Sequence, residues 1–157
     1  MKAEILNAFL AAASNSMSKE IQSPTKRTGL RMDASEHVTD EVTVYLSMVG
    51  SVRGMVLVGM TLATARSMAA SMVGEPQEEL TEMGLSALAE MGNLIAGGAC
   101  IELEKLDLEA DITPPTIMIG SRSKISTLGV DRFVLPLATK HGPVNLHVAV
   151  DLQAEVS

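Results

Sequence analysis

Apolar residues recur at the helical period in three parts of the chain, which predicts three helices. The first covers residues 3–20 and keeps its period beyond any point at which a leader peptide would be cleaved. The second covers residues 61–73 and ends at Gly74, because glycine commonly terminates helices. The third is the longest and runs from about residue 77, just after Pro76, to about residue 106.

The rest of the chain predicts strands, most clearly at residues 38–49, where apolar and polar residues alternate. The predicted strands are residues 26–32, 38–49, 53–60, 110–120, 132–137 and 144–152. Gly50-Ser51 and residues 139–143 are the expected hairpin turns. The order of elements predicts one α+β domain over residues 1–157, with long helices packed on a mostly antiparallel sheet.

The composition excludes several classes of function. The chain has 12 lysine and arginine residues against 19 aspartate and glutamate residues, a net charge of −7 and only 2% aromatic residues. Nucleic-acid binding and attraction to anionic membranes both favour basic surfaces, so we expect neither partner. A lone cysteine cannot form an internal disulfide, and no apolar run reaches the roughly 20 residues that span a bilayer. We therefore expect a cytoplasmic protein.

The motifs of metal and cofactor sites are missing from the sequence. His37, His141 and His147 are scattered without the spacing of zinc ligands, which predicts surface or packing roles for them. The run A-G-G-A at 96–99 lies inside a predicted helix and is not followed by lysine, so it does not predict a phosphate-binding loop. We expect no cofactor and no metal bound by this chain itself.

The predicted long helix carries one narrow polar stripe. Ser86, Glu90, Asn93 and Gly97 fall within an arc of about 60° on a regular helix. A carboxylate can act as a base or bind a cation, and a carboxamide can hold a water molecule in place. Such positioning is most of what phosphoryl transfer needs, although a paired surface stripe without catalytic function also explains these residues.

The stripe resembles the signature of the CheC/CheX/FliY phosphatases of bacterial chemotaxis. In that signature Asp or Ser is followed by Glu and Asn at the spacing of Ser86, Glu90 and Asn93, and a proline follows at the place of Pro115. The first helix, the hairpin and residues 110–120 also resemble the family in the same order, so the resemblance covers nearly the whole chain. It implies a CheC-like fold. A single strong E-x-x-N pair is similar to the CheX type, whereas CheC and FliY have two sites.

The resemblance implies an enzyme that hydrolyses the aspartyl phosphate of a CheY-type response regulator. Asn93 would then orient the attacking water, and Glu90 would pair with the regulator's active-site lysine. Ser86 would support this pair, Gly97 would allow close approach, and Pro115 would shape the strand end beside the helix. The alternative is a non-catalytic adaptor that docks on a response regulator without speeding the loss of phosphate.

The resemblance also implies the assembly and the ions involved. We expect a homodimer, with Mg²⁺ held by the carboxylates of the phosphorylated partner. Glu4 and Asn7 on the first helix repeat the spacing of Glu90 and Asn93. This repeat is either the vestige of a second site or a chance match.

Overall fold

The computed structural model describes residues 2–34, 36–120 and 123–152. Three α-helices lie in these residues: α1 Lys2–Ile21, α2 Leu62–Val73 and α3 Glu82–Glu104. Thr61 caps the start of α2 by accepting a hydrogen bond from Thr64 N, and Gly74 ends the helix at φ 84°. The first two helices are confirmed as predicted.

The strands of the described residues form one large sheet and one small ribbon. They are β1 Lys26–Arg27, β2 Arg31–Asp33, β3 Glu36–Val38, β4 Val42–Gly50, β5 Val52–Met60, β6 Ala110–Ile112, β7 Thr116–Ile119, β8 Lys124–Ser126, β9 Arg132–Thr139 and β10 Gly142–Leu152. The large sheet has the order β1-β9-β10-β5-β4-β6, with β2 also on β9 and β7 also on β4. Every described pairing is antiparallel, which confirms the α+β class.

The helices cover one face of the large sheet, and the main core fills the space between them. Buried residues of all three helices pack against alternate residues of β4, β5, β9 and β10 in one continuous cluster. Phe9 of α1 and Ile95 of α3 are both fully buried there. Because α3 contributes a buried side to this core, its opposite side remains for contacts outside the domain.

The other face of the sheet has a second, smaller cover. Leu57, Val134 and His147 lie side by side on β5, β9 and β10, and all three are buried although they are outside the main core. Strands β3 and β8 form a two-stranded ribbon of their own, and His37 of β3 stacks on His147. The ribbon therefore covers the sheet face opposite to the helices.

The long helix begins later than its sequence predicts. It starts at Glu82 with Thr81 as N-cap, rather than near residue 77. The side chain of Gln77 accepts hydrogen bonds from both the backbone N–H and the hydroxyl of Thr81, and it packs against Gly84. These contacts satisfy a non-helical backbone ahead of the helix, so the prediction of a start at 77 is wrong.

Three predicted strands are each divided in the structure, and the first of them, residues 26–32, contains β1 and most of β2. Residues 38–49 contain the end of the ribbon strand β3 and most of β4, separated by residues 39–41. Residues 110–120 contain β6 and β7, which both pair with β4. Three residues, 113–115, stand there opposite only two residues of β4, because Met48 faces Ile112 and Tyr45 faces Thr116. The extra residue is a β-bulge, and proline at 114 and 115 accounts for the missing ladder bonds.

Candidate functional site

The predicted polar stripe lies on the side of α3 that does not face the core. Ser86 and Glu90 are exposed, and Asn93 and Gly97 are half-buried. On the opposite side of the helix Leu88, Met91 and Ile95 are buried in the core. The four stripe residues therefore share one accessible surface, as their spacing predicts.

Two close contacts fix α3 against the rest of the domain. A Cβ atom at Gly92 would lie 2.6 Å from Cγ1 of Val44 on β4, and one at Gly98 would lie 3.1 Å from Cβ of Ala12 on α1. Real Cβ atoms almost never approach other atoms as closely as the first of these distances. Glycine at both positions thus lets the helix lie directly on the sheet and on α1.

A groove of about 590 Å³ runs between α1 and α3 and includes part of the stripe. Asn93 and Gly97 line it from α3, and Asn15 and Lys19 line it from α1. The sequence did not indicate these α1 residues as part of a site. The one sequence feature that could have predicted them is the helical spacing of the polar residues that flank the apolar side of α1. This spacing alone does not indicate a site.

Glu90 and Asn93 have no hydrogen-bond or ion-pair partner among the described residues. Side chains three residues apart on a helix are neighbours, with Cβ atoms about 5–6 Å apart. The helix thus holds a free carboxylate beside a free carboxamide. Such a pair can bind a cation and position a water molecule at once, without breaking an internal contact first.

Pro115 lies on the bulge between β6 and β7, close in sequence to the residues that border the stripe. Ile112 at the end of β6 lines the groove, and its Cδ1 would lie 3.9 Å from a Cβ atom at Gly97. This distance is an ordinary van der Waals contact, so Gly97 is not required by packing inside the domain.

Glu4 and Asn7 are exposed on α1, away from this groove. Asn7 lines a different cavity of about 280 Å³, together with Arg27, Leu30 and Phe133. The structure therefore does not join the second E-x-x-N pair to the stripe on α3.

A buried cluster of ionisable groups lies under the ribbon, where the sequence indicated only scattered histidines. The rings of His37 and His147 are 4.5 Å apart, and Nη1 of Arg132 lies 2.7 Å from Nδ1 of His147. Asp40 completes the cluster, and its Oδ2 is buried without a hydrogen-bond partner, as is Nε2 of His147. Burial is the main reason that the pKa of His147 falls from 6.5 to about 3, and the neighbouring cations lower it further.

His37, Asp40 and His147 form the one group of three potential metal ligands in the described part of the chain. Arg132 can only donate hydrogen bonds, so Nδ1 of His147 accepts from it and Nε2 carries the ring proton. A protonated nitrogen offers no lone pair to a metal, and the guanidinium adds a positive charge beside the cluster. The donor set therefore does not favour a cation. We interpret the cluster as a structural contact that holds the ribbon against the sheet.

Comparison with protein families identifies the family to which this chain belongs. The family model "Chemotaxis phosphatase CheX" matches residues 42–138, which include β4, β5, α2 and all of α3. This match covers more than half of the chain. The protein belongs to the CheX family. The resemblance noted in the sequence is thereby confirmed.

Individual relatives and structural neighbours agree with this assignment. "CheY-P phosphatase CheX" of Thermotoga maritima is 29% identical over 132 residues, which are 83% of this chain and 84% of that protein. A CheC-like protein from Shewanella sp. PV-4 has the same fold, with a TM-score of 0.86, 19% identity and coverage of 96% and 99% of the two chains. The CheX–CheY–BeF3–Mg complex of Borrelia burgdorferi matches with a TM-score of 0.73 and 25% identity, over 92% of this chain and 96% of that one.

The length and composition of α3 also suit a helix that crosses a membrane, and α3 is the one described helix with this property. Long helices in protein cores have the same length and composition. Here the buried side of α3 packs in the main core with α1, α2 and the sheet, so core packing accounts for its apolar residues.

Proposed function

We propose that this protein hydrolyses the aspartyl phosphate of a CheY-type response regulator. The single observation that carries the proposal is the unpartnered Glu90–Asn93 pair on the exposed side of α3 in a member of the CheX family. The name of the Thermotoga relative and the CheY chain bound in the Borrelia complex support the same substrate.

In the proposed reaction a water molecule attacks phosphorus in line with the aspartyl oxygen. The phosphorus–oxygen bond to the regulator breaks, and the products are inorganic phosphate and a free carboxylate. The carboxamide oxygen of Asn93 accepts a hydrogen bond from this water and orients it, while Glu90 pairs with the regulator's lysine and fixes the docking. Because such a transition state is loose, orientation and charge balance supply most of the catalysis.

The remaining stripe residues have supporting roles in this proposal. Ser86 lies one turn before Glu90 on the same surface and borders the contact, and Gly97 leaves room for the approaching regulator. Pro115 holds the bulge that ends β6 beside Gly97. The Mg²⁺ is bound by the regulator's own carboxylates, so this chain supplies no metal ligand to the reaction.

The decisive experiment measures phosphate loss from a phosphorylated CheY-type regulator with Mg²⁺ present. Asn93→Ala should lower the added rate about a hundredfold, because the attacking water is no longer held in line. Asn7→Ala is the matched control, since it removes the exposed Asn of the other E-x-x-N pair, and it should leave the rate unchanged. A fully active Asn93→Ala protein would refute the mechanism, and binding without any acceleration by the wild type would establish an adaptor instead.

We also infer a homodimer that forms through the large sheet. Strands β1 and β2 lie at one edge of this sheet, and the nearby Leu30 and Met32 are 50% and 60% exposed. Exposed edge strands with apolar side chains are typical pairing surfaces. Light scattering should give twice the chain mass of 16.6 kDa. A Met32→Lys variant should shift the mass towards that of the monomer. A wild-type protein with the mass of a monomer would exclude the dimer.

A further inference from the structure

Two large apolar side chains stand exposed at the two ends of the stripe on α3. Met83 is 66% exposed and Ile101 is 61% exposed, although the rest of the apolar surface of this helix is largely covered. They are eighteen residues apart, which is five full turns, so both point in the same direction. The polar pair lies between them on the same side of the helix.

The spacing of these residues fits one partner domain. Eighteen residues span about 27 Å along a helix axis, and the centre of that span falls at position 92, between Glu90 and Asn93. A typical specific interface covers about 800 Å² on each partner, which corresponds to a patch about 30 Å across. A domain centred on the polar pair would therefore cover both apolar residues.

The charge of α3 decides between a second copy and a different partner. The helix contains no lysine and no arginine, and Glu90 lies near the middle of the exposed side. If two copies paired through this surface about a twofold axis, two Glu90 carboxylates would be buried near each other, and Lys19, the cation of the adjoining groove, is already outnumbered there by Glu20 and Glu102. Desolvated like charges are strongly unfavourable, so the surface requires a partner that presents a cation at its centre.

We propose that Met83 and Ile101 are the two apolar anchors that dock the phosphorylated regulator on α3. This inference rests on the proposed function and extends it to the partner surface. The regulator must present a recessed cation flanked by two apolar patches, one for each anchor. Ile101 lies in the groove with Leu94 and Ile112, so the patch that meets it also contacts the groove.

The test measures dephosphorylation rates over a range of regulator concentrations for Met83→Gln, Ile101→Gln and the double variant. Each single change should raise KM about fivefold to tenfold and leave kcat within about twofold, because the anchors act in docking and not on the reacting atoms. The control is Leu128→Gln, which replaces a side chain that is 90% exposed on the loop after β8, beyond the helices. It should change neither constant.

Each outcome separates this inference from the proposed function. An active wild type with unchanged KM in both anchor variants would overturn the anchors and leave the phosphatase intact. A fall in kcat without a change in KM would also overturn them. A wild type that does not accelerate the reaction would refute the proposed function, and a loss of dimer mass in the variants would assign the surface to a second copy. Thermal melts should show that all three variants remain folded.

Discussion

The buried His147 makes the stability of this fold depend on pH in a direction that the structure fixes. The side chain is 1% exposed, and its pKa falls from 6.5 to about 3, mainly because burial disfavours the charged ring. Between these two values the unfolded chain binds a proton that the folded chain does not bind. The free energy of unfolding therefore rises with pH in this window. The contribution of His147 to it is lost progressively as the pH falls below 6.5.

The expected magnitude follows from the size of the pKa shift. A group that titrates only in the unfolded state changes the free energy of unfolding by about 1.4 kcal/mol for each pH unit. From pH 6.5 to pH 4.5 His147 alone should remove about 2 kcal/mol, a large part of a typical stability of 5–15 kcal/mol. For a domain of this size the melting temperature should fall by roughly 4–8 °C.

The perturbation that isolates this effect is His147→Gln. Glutamine keeps an oxygen that can accept the hydrogen bond from Arg132, but it does not titrate. Urea unfolding of both proteins from pH 7 to pH 4.5 gives the two stability curves. The slope of the variant should be smaller by about 1.4 kcal/mol per pH unit, and the carboxylates common to both proteins cancel in the difference.

The surroundings of His147 explain why the sign is expected to hold. Arg132 contacts the ring and disfavours its protonation, and a charged His37, whose ring centroid lies 4.5 Å away, would disfavour it further. Asp33 and Asp40 are the opposing acids, and Asp33 is already engaged by Arg31 and Arg132. Parallel stability curves would refute the reasoning. A wild type that gains stability on acidification relative to the variant would show that Asp40 holds the ring protonated.

Two further predictions concern the glycines of α3. Gly92→Ala should lower the free energy of unfolding by about 1–2 kcal/mol in urea titrations, because its Cβ would collide with the stiff, buried Val44. An unchanged free energy of unfolding would mean that the helix shifts freely on the sheet. Gly97→Ala should instead raise stability by about 0.5–1 kcal/mol, because its Cβ has room beside Ile112, and yet slow dephosphorylation by crowding the regulator. A variant as active as the wild type would remove Gly97 from the docking surface.

The apolar pattern determined most of the helices and long strands in advance, because one period decides which side of an element is buried. It failed where one side chain bonds nearby backbone and where the pairing of distant strands decides the structure. Residues 77–80 have helix-forming composition, but the amide of Gln77 stabilises a non-helical backbone, and the helix starts at Glu82. The division of residues 110–120 depends on the pairing with β4, which no local pattern reveals.

The candidate site shows the same difference between local and distant information. Glu90 and Asn93 could be placed on one surface from their spacing alone, because both belong to one helix. The groove needed the packing of α1 on Gly98, and the cluster under the ribbon joins His37 and His147, which are far apart in sequence. Contacts of this kind follow from the fold and not from periodicity.

The direct contact of Gly98 with Ala12 has a consequence for how activity would be lost. Because α3 packs against both α1 and the sheet, the positions of Glu90 and Asn93 are set when the chain folds. The entropy cost of ordering the helix that carries them is therefore part of the folding free energy and does not reduce the affinity for each regulator molecule. Local unfolding of α3 requires disruption of the core in which it is packed. We therefore expect catalysis to persist almost undiminished on heating until the cooperative melt and then to vanish with it, so that the working range of the enzyme is set by the stability of its core.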